Sequence, residues 1–284
     1  MPTIAASFLS LLCLLSATSG SIPSLSGYNV VFSDDFNGDH YAGIDLSNWN
    51  QITGNPGDNG ELEQYTSGTG NVHLSGDGQM YIVPTIGPFE YLSGRVESTG
   101  SWACDDGNAM IFQAELWVPD YTGDPAQFAG YWPSFWAKGN DYRTSGTSWP
   151  LCGEWDIFEV TDWLSNQNQG TLHFIDSNGN NNGNFNGRVT YAGGQYHTWA
   201  FKVDRRNSDW TQQELTWYLD GDAFYSVTGA DIGTHTQWEQ LAYYPYYIII
   251  NLAIGGSYPG DPGSDTIFGY DASMRVEYVA VYKT

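Results

Sequence analysis

An all-β fold is predicted for this chain, with two antiparallel sheets packed as a sandwich of jelly-roll type. Three observations lead there. Short segments of alternating or continuous apolar character recur along the sequence, rich in Val, Ile, Thr, Tyr and Trp. Glycine-rich turns separate them, with 34 Gly in the chain, and Lys plus Arg number only nine, so strong helix formers are scarce. The 284 residues, 41% of them hydrophobic, are enough for one sizeable core. No internal repeat or long linker divides the chain, so one domain is expected over residues 20–284.

The first nineteen residues are expected to be a secretory signal peptide. The apolar run Ile4–Leu15 is too short to span a bilayer, and Ala17-Thr18-Ser19 supplies small residues for cleavage. This predicts a secreted, extracellular protein with no membrane segment after processing. Beyond it, strand patterns recur along the chain. Met110–Val118 alternates, with Met110, Phe112, Ala114, Leu116 and Val118 on an apolar face. Gln113, Glu115 and Trp117 fall on its other face, a mixture suited to a polar ligand. Gly153–Glu159 carries three acids within a strand-like apolar run. Ser177–Gly187 is an Asn/Gly loop whose amides are candidates to reach a ligand. His197–Val203 alternates again, and Leu215–Leu219 runs into Asp220-Gly221, a hairpin turn signal. Ile248–Ile254 is apolar on both faces, as a central strand covered on each side should be. Arg275–Tyr282 closes the chain with alternation.

Charge narrows the partners. The formal net charge is −23, and Arg95 is the first Lys or Arg of the sequence. A nucleic acid needs a basic surface and is excluded as a partner, while sulfated or carboxylated polymers are disfavoured. A neutral ligand is electrostatically compatible, and nothing points beyond a monomer. Signal removal takes Cys13 and leaves Cys104 and Cys152. In an oxidising compartment these two are expected to form one disulfide.

The chemistry concentrates in Glu154-Trp155-Asp156-Ile157-Phe158-Glu159. Glu154 and Asp156 share a face of a regular strand, whereas Glu159, five positions from Glu154, points the other way. A β-bulge at Ile157 or Phe158 returns Glu159 to their face, and bulges concentrate beside active sites. Two Glu side chains leaning together then approach the ~5–5.5 Å carboxyl separation of retaining glycosidases. Three acids so close cannot all ionise cheaply, so a raised pKa suited to a general acid is expected. A calcium or magnesium site, an acid-decorated strand edge and a sugar site without chemistry are the other readings of the same residues.

Around this strand the sequence resembles glycoside hydrolase family 16, in its laminarinase-like branch. Glu154, Asp156 and Glu159 satisfy the branch pattern Glu-x-Asp-x-x-Glu, one residue longer than that of the licheninase and xyloglucan-enzyme branch. Trp132-Pro133-Ser134-Phe135-Trp136, Trp149–Gly153, Asn59–Tyr65, Ser93-Gly94-Arg95, Thr171-Leu172-His173-Phe174, Trp217–Gly221 and Asn251–Gly256 resemble its other blocks. The resemblance implies a concanavalin A-like jelly roll with a substrate cleft on its concave sheet, retaining hydrolysis, and a neutral β-1,3 or mixed-linkage β-glucan as substrate. It makes Glu154 the nucleophile, Glu159 the general acid/base and Asp156 the assisting carboxylate. His173 falls at a cleft histidine of the family. Trp132 and Trp136 are candidates to stack on sugar rings, and Arg95, Gln113 and Glu115 to contact sugar hydroxyls, although Arg95 could equally pair with an acid. The sequence departs from the pattern at three places. Trp155 replaces an aliphatic residue, Gln113-Ala114-Glu115 stands where Glu-x-Arg is common, and Glu277 stands where an Asp is linked to a structural calcium. No cofactor is required by this reading, and a calcium is left open. A glucan transglycosylase or a non-catalytic glucan-binding lectin would share the fold, and a lectin would usually lack one of the two glutamates.

Overall fold

The computed structural model describes residues 21–55, 57, 59–88, 90–176, 178–183 and 185–284. The expected signal peptide lies outside the described residues. Two eight-stranded sheets and one of three strands make up the β structure among them. The outer sheet runs in the order Asp222–Thr228, Glu214–Leu219, Tyr196–Asp204, Ala109–Trp117, Met274–Lys283, Met80–Ile82 and Val72–Leu74, with Asn29–Asp34 also paired to Met274–Lys283. The cleft sheet runs Asn181–Asn182, Gln167–Ile175, Glu154–Glu159, Tyr131–Gly139, Tyr246–Ile254, Arg95–Ser98 and Trp49–Gln51, with Asn186–Thr190 paired to Gln167–Ile175. All pairings within these two sheets are antiparallel, as expected of a jelly roll.

The periodic segments fold as the sequence predicts. In Ala109–Trp117 the face carrying Met110, Phe112, Ala114 and Leu116 is buried in the core between the sheets. All nine residues of Tyr246–Ile254 are buried, which explains a run apolar on both faces: one side meets the core and the other floors the cleft. Asp220 and Gly221 both have positive φ, 51° and 88°, the turn conformation that lets Glu214–Leu219 fold back onto Asp222–Thr228.

Aromatic residues fill the inter-sheet space. Trp155 of the cleft sheet lies 4.6 Å from Phe201 and 5.6 Å from Phe112 of the outer sheet, and Phe158 lies 4.8 Å from Trp199. Their polar edges are satisfied: the Trp155 indole N–H donates to Leu241 O at 3.0 Å, and that of Trp217 donates to Asp156 O at 2.8 Å. The second bond ties the outer sheet to the backbone of the acid-bearing strand.

The expected disulfide is absent. Cys104 and Cys152 are both buried and unpaired. The Cys104 thiol donates to Asn108 O at 3.4 Å and Val203 O at 3.5 Å, at the margin of the outer sheet, where Arg205, Lys283 and Asp105 are its charged neighbours. Cys152 instead stands before the Glu154 strand, with Lys138, Glu154 and Asp141 around it. The charged groups around the two thiols are thus different sets. Burial pushes both thiols up to about 11.

Candidate active site

The acid-bearing strand starts at a glycine for a local reason. Gly153 has φ +81°, and a Cβ there would collide with the Tyr246 hydroxyl oxygen. Its register against Tyr131–Gly139 then contains the expected bulge. Ser134 pairs with Glu159 and Phe135 with Phe158, but Trp136 pairs with Asp156, so Ile157 has no partner residue across the ladder. Trp155 and Phe158, three positions apart, both pack in the core, which a regular strand would forbid. Glu154, Asp156 and Glu159 consequently all line one cleft of about 540 Å³.

A buried amide secures the bulge. Pairing with Gln167–Ile175 covers only Glu154–His173, Trp155–Leu172 and Asp156–Thr171. Beyond that point the fully buried Asn168 side chain takes over the ladder's role. It donates to Ile157 O at 3.0 Å and accepts from Glu159 N at 2.9 Å. Both backbone groups freed by the bulge are thereby satisfied.

The three acids are treated differently by their surroundings. His173 Nε2 lies 3.2 Å from Asp156 Oδ2, and its Nδ1 lies 3.3 Å from Asn181 Oδ1. Burial opposes charge on His173, but the hydrogen bond and charge of Asp156, with Glu154 and Glu159 behind it, prevail and raise its pKa to about 9. Burial, then the negative charge of Asp156, raise Glu154 to about 7, against the pull of Lys138, His173 and the Trp149 indole. Burial and Asp156 push Glu159 well above the usual carboxylate range, with the Trp132 indole N–H donating to its Oε2 at 3.0 Å. Glu154 is therefore the more readily ionised glutamate and Glu159 the proton holder.

Ligand atoms of Glu154, Asp156 and His173 lie within 4.8 Å of one another, close enough for a metal by spacing alone. The donor set does not fit calcium or magnesium, which take oxygen ligands, and an imidazole protonated up to about pH 9 offers no lone pair there.

Most predicted binding residues converge here. Trp132, Trp136, Arg95 and His173 all line the cleft. Alternation along Tyr131–Gly139 places Trp132, Ser134, Trp136 and Lys138 on its floor. Of the two roles foreseen for it, Arg95 shows the pairing with an acid, at 2.7 Å from Glu97, and its guanidinium lies 5.1 Å from the Trp136 ring. Gln113 and Glu115 are a correction. They belong to the outer sheet, across the core from the cleft; Gln113 donates to the Tyr278 hydroxyl at 2.7 Å, and Glu115 sits beside Glu277. Both lie on the face of the outer sheet turned away from the cleft, where Gln113 is buried beside Tyr278. Sequence reasoning missed Lys138, Tyr65, Tyr142, Trp149, Asn251 and Tyr258 as lining residues. Lys138 was findable, two residues beyond Trp136 on the same alternating face, and so was Asn251, the single polar residue of an apolar run.

Comparison with known proteins agrees with this geometry. A family model described as an XgeA-like, catalytic GH16 domain matches residues 108–230. The chain is 30% identical to glucan endo-1,3-beta-glucosidase A1 of Niallia circulans over 92% of its own length, but spans 39% of that protein. It is 28% identical to a beta-glucanase of Rhodothermus marinus, over 90% of this chain and 85% of the relative. Among solved structures, an endo-1,3-beta-glucanase of Streptomyces sioyaensis superposes with a TM-score of 0.82 at 29% identity, covering 93% of this chain and 99% of that one.

Proposed function

Because the chain belongs to glycoside hydrolase family 16, we propose that it is a secreted endo-β-glucanase, hydrolysing β-1,3 and mixed β-1,3/1,4 linkages with retention of configuration. The observation that carries this reading is the bulge at Ile157, which brings a more ionisable Glu154 and a proton-holding Glu159 to one cleft wall. Glu154 attacks the anomeric carbon while Glu159 gives its proton to the departing glycosidic oxygen. Water then attacks the glycosyl–Glu154 ester, with Glu159 accepting its proton. Asp156, paired with His173, contributes the negative charge that keeps Glu159 protonated. Trp132 and Trp136 offer aromatic faces to glucose rings along the floor. The β-1,3 preference is supported by the activities named for the Niallia and Streptomyces proteins.

We read residues 20–284 as one catalytic domain acting as a monomer, with the three acids and the cleft lining all held on one sandwich. Acid, base and nucleophile are all side chains, so the reaction as written needs no cofactor. Transfer to a sugar acceptor is the second reading. It is favoured by the row of rings leading away from Glu159, with Trp132 4.9 Å from Tyr258 and Tyr258 5.3 Å from Trp163.

Reducing ends released from laminarin, lichenan, agarose and xyloglucan test the substrate. Release from laminarin and lichenan is expected, with the β-anomer formed first by proton NMR. An α-anomer first, or release from agarose alone, would refute the reading. Products longer than the starting oligosaccharide, by mass, would assign transfer.

A further inference from the structure

We propose that Lys138 is a positioning residue for the nucleophile. Its ammonium, fixed between Trp136 and Tyr142 directly across the ladder from Glu154, holds that carboxylate ionised for attack and stabilises it again as it departs. The proposal rests on the glycosidase reading above and gives Glu154 a second facing cation besides His173.

Lys138 is only 4% exposed, and lysine is rarely buried so deeply without a partner. It pairs with Glu154 in the strand register, which puts both side chains on the cleft face. Its Nζ lies 3.9 Å from Glu154 Oε2, its one ion pair among the described residues. The same Nζ lies 4.9 Å from the Trp136 ring centre and 4.4 Å from that of Tyr142. Two ring faces stabilise the ammonium and hold it against swinging into solvent.

The groups facing Glu154 come from every neighbouring element. Asp156 and Glu159 share its strand and Cys152 precedes it. Lys138 faces it from Tyr131–Gly139, His173 from Gln167–Ile175 and Tyr246 from Tyr246–Ile254. Only Lys138 and His173 in this set carry positive charge, and the nearest acid to each is different. His173 is engaged with Asp156 at 3.2 Å, whereas Lys138 is left for Glu154. Glu159, with no ion pair of its own among the described residues, accepts from the neutral Trp132 indole instead. Two cations are thus distributed over three acids so that the acid left without one is the proton donor.

The same placement serves both steps. In the first, a Glu154 oxygen bonds the anomeric carbon as the glycosidic C–O bond breaks, and the leaving oxygen takes the Glu159 proton. The resulting ester is uncharged. In the second, the water oxygen bonds the anomeric carbon and its proton passes to Glu159. The ester C–O bond breaks, and its electron pair returns to Glu154 beside Lys138.

Lys138→Met and Lys138→Arg test this with two readouts. One is the pH dependence of kcat/KM on laminarin. The other needs no turnover: a carbon-13 titration of the Glu154 carboxyl, its resonance assigned with Glu154→Gln. The methionine variant is expected to move the Glu154 midpoint and the acid limb upward by about one pH unit, and the arginine variant to restore both toward wild type. An unchanged Glu154 midpoint in the folded methionine variant overturns the proposal, as does an arginine variant that behaves like methionine. If the methionine variant does not fold, by near-ultraviolet dichroism, Lys138→Gln carries the same comparison. A wild-type protein inactive on every glucan would refute the glycosidase reading, and the carboxyl titration would still decide whether Lys138 governs Glu154.

Discussion

Glu154 and Glu159 are the same side chain five residues apart, and their neighbours alone give them separate tasks. Each is buried and faces Asp156, but Glu154 has Lys138 at 3.9 Å while Glu159 has an indole donor and no ion pair among the described residues. The difference predicts a bell-shaped kcat/KM. Activity rises as Glu154 loses its proton, on an acid limb displaced from the ordinary carboxylate range toward about 7, and falls when Glu159 loses its own. His173 supplies a check on the sign. Its positive charge lowers both glutamates, so His173→Gln lets each keep its proton to higher pH. Both limbs of the laminarin profile should move upward; a downward movement would contradict the assignment. Glu159→Gln should cost about 10²–10⁴ in turnover of laminarin. On a dinitrophenyl glycoside, whose leaving group needs no proton, the first step should be largely spared. Stopped-flow release of the phenolate compares the two.

The spacing of the acids was legible in the sequence as a demand for a bulge, because alternation along a strand is a strict rule and Glu159 violated it. Its location was narrowed to Ile157 or Phe158, and the register places it at Ile157, but the device that holds it was not legible. Asn168 lies in an unremarkable Asn/Gln stretch, and only the register of the neighbouring strand brings its amide to Ile157 O and Glu159 N. Asn168→Leu would leave both backbone groups buried without partners, at about 1–3 kcal/mol each. Urea unfolding should show a loss of about 3 kcal/mol. Laminarin turnover should fall as well, since Glu159 loses its fixed backbone. The helix His235–Ala242 was also missed, in a sequence with few helix signals. It is capped by the Thr234 side chain, which accepts from Gln237 N, and it buries Trp238 and Leu241. Packing rather than propensity accounts for so short a helix.

Across the whole molecule, two errors of the sequence reading have one cause. Gln113 and Glu115 were placed with the ligand because their strand has a polar face, yet either sheet of a sandwich has such a face and only one carries the cleft. Cys104 and Cys152 were paired because the chain holds two cysteines after Cys13, yet they sit in separate surroundings. The unpaired arrangement makes its own prediction. Dithiothreitol should leave the melting temperature unchanged, where loss of a disulfide would typically cost about 2–4 kcal/mol. Ellman's reagent should find both thiols only after unfolding.

By itself the sequence determined the features that obey local rules: the period-two strands, the hairpin turn at Asp220-Gly221, the acidic character of the chain, and the need for Glu159 to change face. Those rules act over a few residues and leave their mark in residue order. The tertiary structure alone decided which sheet holds the cleft, which cation serves which acid, and whether two thiols meet. Lys138 is separated from Glu154 by sixteen positions and Trp217 from Asp156 by sixty-one, and they are joined by strand register and the packing of two sheets, which no local pattern encodes.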